Sequence, residues 1–212
     1  MLSVVIPTDR QTECSVLEKT LSSISQMKNL EIICVDKKEA RSRAERLNVG
    51  FHRSQGEVIL FHHPRSFVDP VGIQVLIVMS HDTNRNVFWG GFTHQFDINH
   101  PLLNFTSWYS NNIRAAKRGI FYLDHCIFFD RRLWKKDLPK VEIFEDSLLS
   151  YEFRKILKPM LLAHLSTTSS IRFQKNGVLK QALLNQALKV AFHLKVSHTL
   201  MNKLYERGLG LN

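Results

Sequence analysis

A short apolar segment near the start of the chain, which a proline ends, constrains the fold more than any other feature. This segment reads Leu2-Ser3-Val4-Val5-Ile6-Pro7-Thr8. Such a run is typical of a buried strand in a parallel sheet, and we place it at the centre of that sheet. Ligands of open α/β sheets bind outside the carboxyl ends of the strands. We therefore expect Pro7, Thr8 and Asp9 to form the floor of a pocket.

Strands and helices alternate along the rest of the chain. Further strands are predicted over residues 31–36, 57–61, 86–92, 126–129 and 160–165, and helices over 17–27, 39–51, 71–80, 101–118, 148–157 and, in two parts, from 174 onward. This order predicts an α/β fold with a mainly parallel, doubly wound sheet and helices on its faces. We find no internal repeat or linker, which argues against a second independent domain.

The charge balance indicates an anionic partner. The chain has 212 residues with 29 Lys and Arg against 19 Asp and Glu, a formal net charge of +10. Residues 151–212 hold ten Lys and Arg and two Glu, so +8 of that charge lies in the last stretch. A nucleotide phosphate, a nucleic acid or an acidic membrane surface would each suit such an excess.

Cysteine usage and the N-terminal residues predict a cytoplasmic protein. The three cysteines form no Cys-x-x-Cys pair, which gives no zinc signal and fits a reducing compartment. Cys34 lies in an apolar run and is expected in the core. The sequence begins without a basic leader, and no run is long and apolar enough for a membrane span.

Charged residues stand where predicted elements meet the expected pocket. Asp36 ends the second strand, where it can accept hydrogen bonds from a ribose or base edge, or form a turn. Arg43 lies on a basic helix, where it can contact a pyrophosphate or belong to a solvated face. Glu145 and Asp146 open a helix, where Asp146 either caps the helix or takes a proton from an attacking hydroxyl.

Several common catalytic motifs are missing from the sequence. There is no G-x-G-x-x-G, no G-x-x-x-x-G-K-[ST] and no G-x-S-x-G. Their absence argues against a dinucleotide-binding Rossmann enzyme, a P-loop NTPase and an α/β-hydrolase. The ten histidines show no H-x-x-x-H or H-E-x-x-H spacing, which argues against a histidine metal site.

Taken in order, the segments resemble family 2 glycosyltransferases of the GT-A fold over nearly the whole chain. The similarity lies in the opening strand, in the second strand with its terminal Asp36, and in short motifs at matching spacing. These motifs are Arg43-Ala44, Leu47-Asn48-Val49-Gly50, Gly56-Glu57-Val58-Ile59-Leu60-Phe61, Gly90-Gly91-Phe92, Phe96-Asp97, Pro101-Leu102-Leu103, Gly119-Ile120, Phe144-Glu145-Asp146, Thr168-Ser169 and Arg172-Phe173. The chain most resembles the small bacterial transferases called selenodomain-associated transferase 2.

The resemblance implies a GT-A, Rossmann-like nucleotide-diphospho-sugar transferase domain over residues 1–173 and a C-terminal helical extension over 174–212 packed on it. It implies transfer of a sugar from a nucleotide diphosphate donor, with a UDP-sugar expected, to an acceptor hydroxyl with inversion. The implied nucleotide-binding residues are Pro7, Thr8, Asp36, Arg43 and Arg65. Asp146 would be the general base beside Glu145, and Asp124 and Arg172 would lie on the acceptor or diphosphate side.

The chain departs from the family at the metal site. Relatives hold Mg²⁺ or Mn²⁺ with an aspartate-bearing motif after the third strand, whereas this chain has His63-Pro64-Arg65-Ser66, with Arg65 at the position of the ligand. The negative charge of a departing diphosphate can be neutralised by an arginine as well as by a divalent ion. Either the transferase works without metal, or the chain is a degenerate relative that binds a nucleotide sugar or a partner without turnover. If the protein does bind a divalent ion, Asp69 or His63 would have to supply the ligand of a displaced metal site.

The basic C-terminal part fits more than one partner. Its predicted apolar face comprises Leu179, Leu183, Leu184, Leu188, Val190, Ala191 and Leu194, and it is flanked by Lys180, Lys189 and Lys195. This face either packs on the sheet or in a homodimer, or lies on an anionic membrane near a lipid-linked acceptor. We expect no nucleic-acid partner, because only the net charge favours one and no binding motif is present.

Overall fold

The structure is a computed structural model that describes residues 1–8 and 14–207. Its strands are β1 (Leu2–Pro7), β2 (Leu30–Val35), β3 (Val58–Phe61), β4 (Ser66–Val68), β5 (Trp89–Phe96), β6 (Ile127–Asp130) and β7 (Met160–Thr168). Its helices are α1 (Cys14–Ile24), α2 (Arg43–Arg53), α3 (Pro70–His81), α4 (Pro101–Tyr109), α5 (Glu145–Ile156), α6 (Ile171–Asn176), α7 (Val178–His193) and α8 (His198–Arg207).

The strands form one mixed sheet in the order β2-β1-β3-β6-β5-β7-β4. β1 is parallel to β2 and β3, and β5 is parallel to β7, whereas β6 is antiparallel to β3 and β5, and β4 is antiparallel to β7. The predicted α/β class with helices on the sheet is confirmed. Five of the seven described strands run in the same direction, and only β4 and β6 run in the opposite one. The predicted place of β1 is wrong: β6 is central, because it enters between β3 and β5.

This strand order brings the carboxyl ends of β1, β2, β3, β5 and β7 to the same edge of the sheet as the amino ends of β4 and β6. Phe61 at the end of β3 pairs with Ile127 at the start of β6, and Ser66 at the start of β4 pairs with Thr168 at the end of β7. The carboxyl ends of the other five strands therefore meet the amino ends of β4 and β6. Ligands of open α/β sheets bind outside this edge.

The opening strand is apolar throughout because both of its faces are covered. Val5 packs in one buried cluster with residues of α2 and α5, whereas Val4 and Ile6 pack on the other face with residues of α1 and α3. Strands covered on both faces are continuously apolar rather than alternating. Successive side chains of β1 and β3 point to opposite faces of the sheet, so both strands lie between two helical layers.

The last two helices contact the segment that leads into α5. Leu188 of α7 and Met201 of α8 form a buried cluster with Ile143. The ring of Phe192 lies 4.7 Å from that of Phe144. Within the described residues, no helix is both long enough and apolar enough to cross a lipid bilayer.

Several predicted element bounds are corrected. The helix predicted over 39–51 begins at Arg43, because Ser42 and Glu45 form a capping box that starts it there. The helix predicted over 101–118 ends at Tyr109 and continues as a π-helical turn over Ser110–Ala115. Cys34 is exposed rather than in the core, because β2 is an edge strand of the sheet.

Gly50 lies where α2 comes closest to the sheet. A Cβ atom at this position would overlap Cγ1 of Val5. We predict that Gly50→Ala lowers the free energy of unfolding by about 1–3 kcal/mol, because overpacking forces helix and strand apart. Urea-induced unfolding measures this change. The double variant Gly50→Ala/Val5→Ala should lose less than the sum of the two single losses, and strictly additive losses would contradict the contact.

Candidate active site

A buried ion pair joins α2 to α5 at this edge of the sheet. The guanidinium of Arg43 donates from Nε to Oε1 of Glu145, and its Nη2 lies 3.4 Å from Oδ2 of Asp146. Glu145 is fully buried and Arg43 is only 28% exposed. Burial disfavours the charged form of Arg43, but Glu145 and Asp146 outweigh it and hold the pKa of Arg43 above its ordinary value.

The backbone before α5 explains why both carboxylates enter the interior. Phe144 adopts a left-handed conformation with φ of 67°, after which α5 begins directly at Glu145. Asn48 of α2 holds the chain upstream, since its amide donates to Leu138 O at 3.0 Å and accepts from Leu138 N at 2.8 Å. His198 of α8 contacts Ile143 O at 3.0 Å. Asp146 is therefore in the first turn of α5 and is not its cap.

Asp146 combines burial with several hydrogen bonds. Its Oδ2 accepts from the backbone N–H of Leu123 at 2.9 Å, and its Oδ1 accepts from that of Ser147 at 2.6 Å. Burial and the neighbouring charge of Glu145 raise the pKa of Asp146, and Arg43 with the two backbone donors offsets only part of that rise. A carboxylate with a raised pKa accepts protons more readily than an ordinary aspartate.

Asp124 is a third carboxylate of the site, and its pKa is shifted in the opposite direction from that of Asp146. It lies just before β6 and is 39% exposed, with its Oδ1 3.7 Å from Nε2 of His63. Burial would raise the pKa of Asp124, but its interactions with His63, His94, Arg65 and Arg43 together hold it well below its usual range. Asp124 is therefore ionised at neutral pH and is a weak proton acceptor.

Two further cations come from the C-terminal part of the chain. Burial first, and then the charges of Arg65 and Arg43, lower the pKa of Arg172 to about 9. Burial and the charge of Arg114 lower the pKa of Lys189 to about 8. Within the described residues, Nε and Nη1 of Arg172 are buried without a hydrogen-bond partner. Cations that share a buried site in this way are stabilised by an anion that binds among them.

Pro7, Thr8 and Asp36 lie together at the neighbouring end of the same edge. Pro7 pairs with Val35, and the backbone N–H of Thr8 donates to Val35 O at 2.9 Å. Asp36 follows directly and accepts a hydrogen bond from Lys38 N at 2.9 Å, the turn geometry that its sequence position also suggested. Asp9, the third residue expected in the pocket floor, lies outside the described residues.

The donor set at this edge does not suit a divalent cation. In the part of the chain that the structure describes, no group of three or more His, Cys, Asp or Glu side chains is placed to hold a metal ion. Asp69 instead caps α3 by accepting from Val71 N at 2.9 Å. Mg²⁺ and Mn²⁺ need several oxygen ligands, and the charges of Arg65 and Arg43 around Asp124 repel such an ion.

Sequence analysis missed several residues of this site. Two cations lie over the ring of Tyr122. The guanidinium carbon of Arg114 is 3.6 Å from the ring centroid, and Nζ of Lys189 is 5.8 Å from it. The sequence places Lys189 only on the flank of a helix, and it predicts no role for His94. No motif or spacing identifies these residues, because they converge from the π-helical turn, α7 and β5.

The structure is similar to those of glycosyltransferases with the GT-A fold. No family model and no curated protein sequence matches the chain. Residues 1–349 of S. aureus TarS superpose with a TM-score of 0.58 at 13% identity, over 81% of this chain and 61% of that one. A mannosyltransferase from Pyrobaculum calidifontis, solved with GDP-Man and Mn²⁺, superposes with a TM-score of 0.53 at 14% identity, over 91% and 64%.

A third neighbour is glucosyl-3-phosphoglycerate synthase from Mycobacterium tuberculosis, solved with Mg²⁺ and UDP. It superposes with a TM-score of 0.51 at 15% identity, over 80% of this chain and 69% of that chain. The chain thus spans about three fifths of the TarS segment that it matches. At these identities the similarity shows the fold, and this chain has the GT-A fold.

The ion pair between α2 and α5 gives the first test of the site. We predict that Arg43→Met lowers the free energy of unfolding at neutral pH by about 3–5 kcal/mol, because it leaves buried carboxylates without their cation. The loss should shrink as the pH falls from about 7 to about 5, since protonation removes the unpaired charge. Chemical unfolding at both pH values measures it. The double variant Arg43→Met/Glu145→Gln should recover part of the loss, and equal losses in both variants would contradict the pairing.

Proposed function

We propose that the protein transfers a sugar, with inversion, from a nucleoside diphosphate sugar to an acceptor hydroxyl, and that arginine and lysine side chains neutralise the diphosphate in place of a divalent ion. The observation that carries the proposal is the cluster of cations around Asp124, within reach of the buried Asp146. Arg43 bonds Asp146 directly, and the charges of Arg43 and Arg65 both act on Asp124. The structural neighbours solved with UDP or GDP-Man support a nucleotide-sugar donor.

The nucleoside and the diphosphate would occupy adjoining parts of the edge. Thr8, Pro7 and Asp36 would hold the nucleoside at the ends of β1 and β2. The diphosphate would lie among four cations, which are Arg43, Arg65, Arg172 and Lys189. Guanidinium groups bind phosphate oxygens with two parallel hydrogen bonds, and cations already placed in a desolvated site stabilise the charge that develops on a departing phosphate.

Asp146 would act as the general base. Its carboxylate takes the proton of the acceptor hydroxyl while the acceptor oxygen forms a bond to the anomeric carbon. The bond from that carbon to the diphosphate breaks, and the nucleoside diphosphate leaves with the bonding electrons. A single displacement from the opposite face inverts the anomeric carbon. Asp124 suits this role less well, because its pKa is held low and its conjugate base binds a proton weakly.

A second candidate function is nucleotide-sugar binding without turnover. Both carboxylate oxygens of Asp146 already accept hydrogen bonds from backbone N–H groups of the chain itself. If these bonds persist when an acceptor is bound, Asp146 only shapes the pocket. The two functions differ in whether a product is formed and not in whether the donor binds.

Replacement of Asp146 separates these two functions. We expect Asp146→Asn to lose transfer or donor hydrolysis by at least about a hundredfold, because general-base catalysis contributes 10²–10⁴-fold, while nucleotide affinity changes little. Radiolabelled-sugar transfer and isothermal calorimetry measure the two quantities. Asp137→Asn, at an exposed position paired with His52, is the matched control and should keep full activity. An Asp146→Asn variant with unchanged turnover would refute the assignment of the base.

The cation cluster predicts binding without metal. We expect nucleoside diphosphate affinity to be the same in excess chelator as in Mn²⁺, and to fall at least about tenfold in Arg65→Ala, which removes a charge-assisted contact. Calorimetry with UDP and GDP measures both effects. Strict dependence of binding on Mn²⁺ would contradict the proposed role of Arg65.

The lowered pKa of Lys189 predicts a pH dependence of binding. Burial and the charge of Arg114 lower the pKa of Lys189 to about 8, so this side chain loses its proton as the pH rises, whereas the guanidinium of Arg172 stays charged. A bound diphosphate favours the protonated form of Lys189, so the affinity should fall as the pH rises through about 8 and binding should take up protons there. Calorimetry in buffers of different ionisation enthalpy measures the uptake, and binding without it would contradict a contact with Lys189.

A further inference from the structure

Helix α7 exposes an apolar stripe on the side that faces away from the protein. Leu179, Leu183, Val190 and Leu194 are between 58% and 73% exposed. Their spacing of four, seven and four residues places them on one face of the helix. Fifteen residue steps of 1.5 Å make the stripe about 22 Å long.

The opposite face of α7 is already in use. Gln181 and Leu188 are buried, and Leu184, Ala191 and Phe192 pack against the buried cluster that contains Leu188 and Ile143. The apolar face expected from the sequence is therefore divided between an inner half, which holds the helix to the protein, and an outer half in solvent. A contiguous exposed apolar patch of this kind indicates an interaction surface.

The charged residues of α7 and of the turn that follows it are all basic. Residues 153–205 contain nine Lys and Arg and no Asp or Glu. Lys180 lies beside the stripe on α7 and is exposed, as is Lys195 just after the helix. On α8 the same combination recurs, with Leu200 and Leu204 exposed around the exposed Lys203.

We propose that the outer face of α7 docks on an anionic lipid surface. Apolar side chains flanked by lysines let a helix lie in the headgroup region, with the lysines among the phosphates. A second copy of the chain fits less well, because an isologous contact would bring the exposed Lys180 and Lys195 of both copies to one interface. This surface lies on a different face of α7 from Lys189, so the proposal stands whether or not the protein transfers sugars.

Vesicle binding tests this surface directly. We expect the protein to co-sediment with vesicles of phosphatidylcholine and phosphatidylglycerol but not with phosphatidylcholine alone. Binding should weaken when NaCl rises from about 0.1 M to 1 M, across which the Debye length falls from about 10 Å to 3 Å. The variant Leu179→Gln/Leu183→Gln/Val190→Gln should bind at least about tenfold more weakly, because its inserted apolar area is reduced.

The matched control is Val71→Gln/Val78→Gln, which alters two equally exposed apolar residues of α3 and should bind as the unaltered protein does. Lys180→Gln/Lys195→Gln tests the charge separately, and it should also weaken binding. Thermal unfolding confirms that each variant is folded. Equal binding to neutral vesicles, no binding to either, or full binding by the triple variant would overturn the proposal. A dimer in solution that the triple variant alone dissociates would also overturn it, because the stripe would then join two copies.

Discussion

The ion pair of Arg43 with Glu145 is the interaction on which the rest of the site depends. It joins the first turn of α2 to the first turn of α5, two helices that are about a hundred residues apart in the sequence but pack on the same face of the sheet. An ion pair withdrawn from water stabilises a protein little by itself, but its loss leaves a buried charge behind. The pair therefore fixes where Asp146 lies more than it stabilises the fold.

The antiparallel entry of β6 has an equally large effect on the chemistry. Because β6 starts at the edge where β1, β2 and β3 end, the turn that carries Asp124 meets the residues that follow three parallel strands. A purely parallel sheet would have placed that turn at the opposite edge. Asp146 and Asp124 then differ in pKa for a simple reason: Asp146 is buried beside another acid, whereas Asp124 lies among the charges of Arg65 and Arg43.

The C-terminal helices contribute to the site as well as covering the protein. Lys189 comes from α7, and Arg172 lies with its guanidinium carbon 4.1 Å from the ring centroid of Tyr205 in α8. His198 contacts the backbone just before α5. A change in how α7 and α8 pack would therefore move both the cations of the site and the segment that leads to Glu145. The packing of α7 thus links its outer surface to the site.

The sequence alone determined the alternation of strands and helices, the α/β class and the order of the short motifs, because these depend on local periodicity and on where proline, glycine and capping residues fall. It also indicated Glu145 and Asp146, which open a helix, and Arg43, whose charge lies on a basic helix. It could not show that β1 is off-centre, that Cys34 is exposed on an edge strand, or that Arg172 and Lys189 approach Asp124. Three properties depend on contacts between residues that are distant in the chain: the strand order, the division of an apolar helix into an inner and an outer face, and the pKa of a buried carboxylate. Only the tertiary structure decides those contacts.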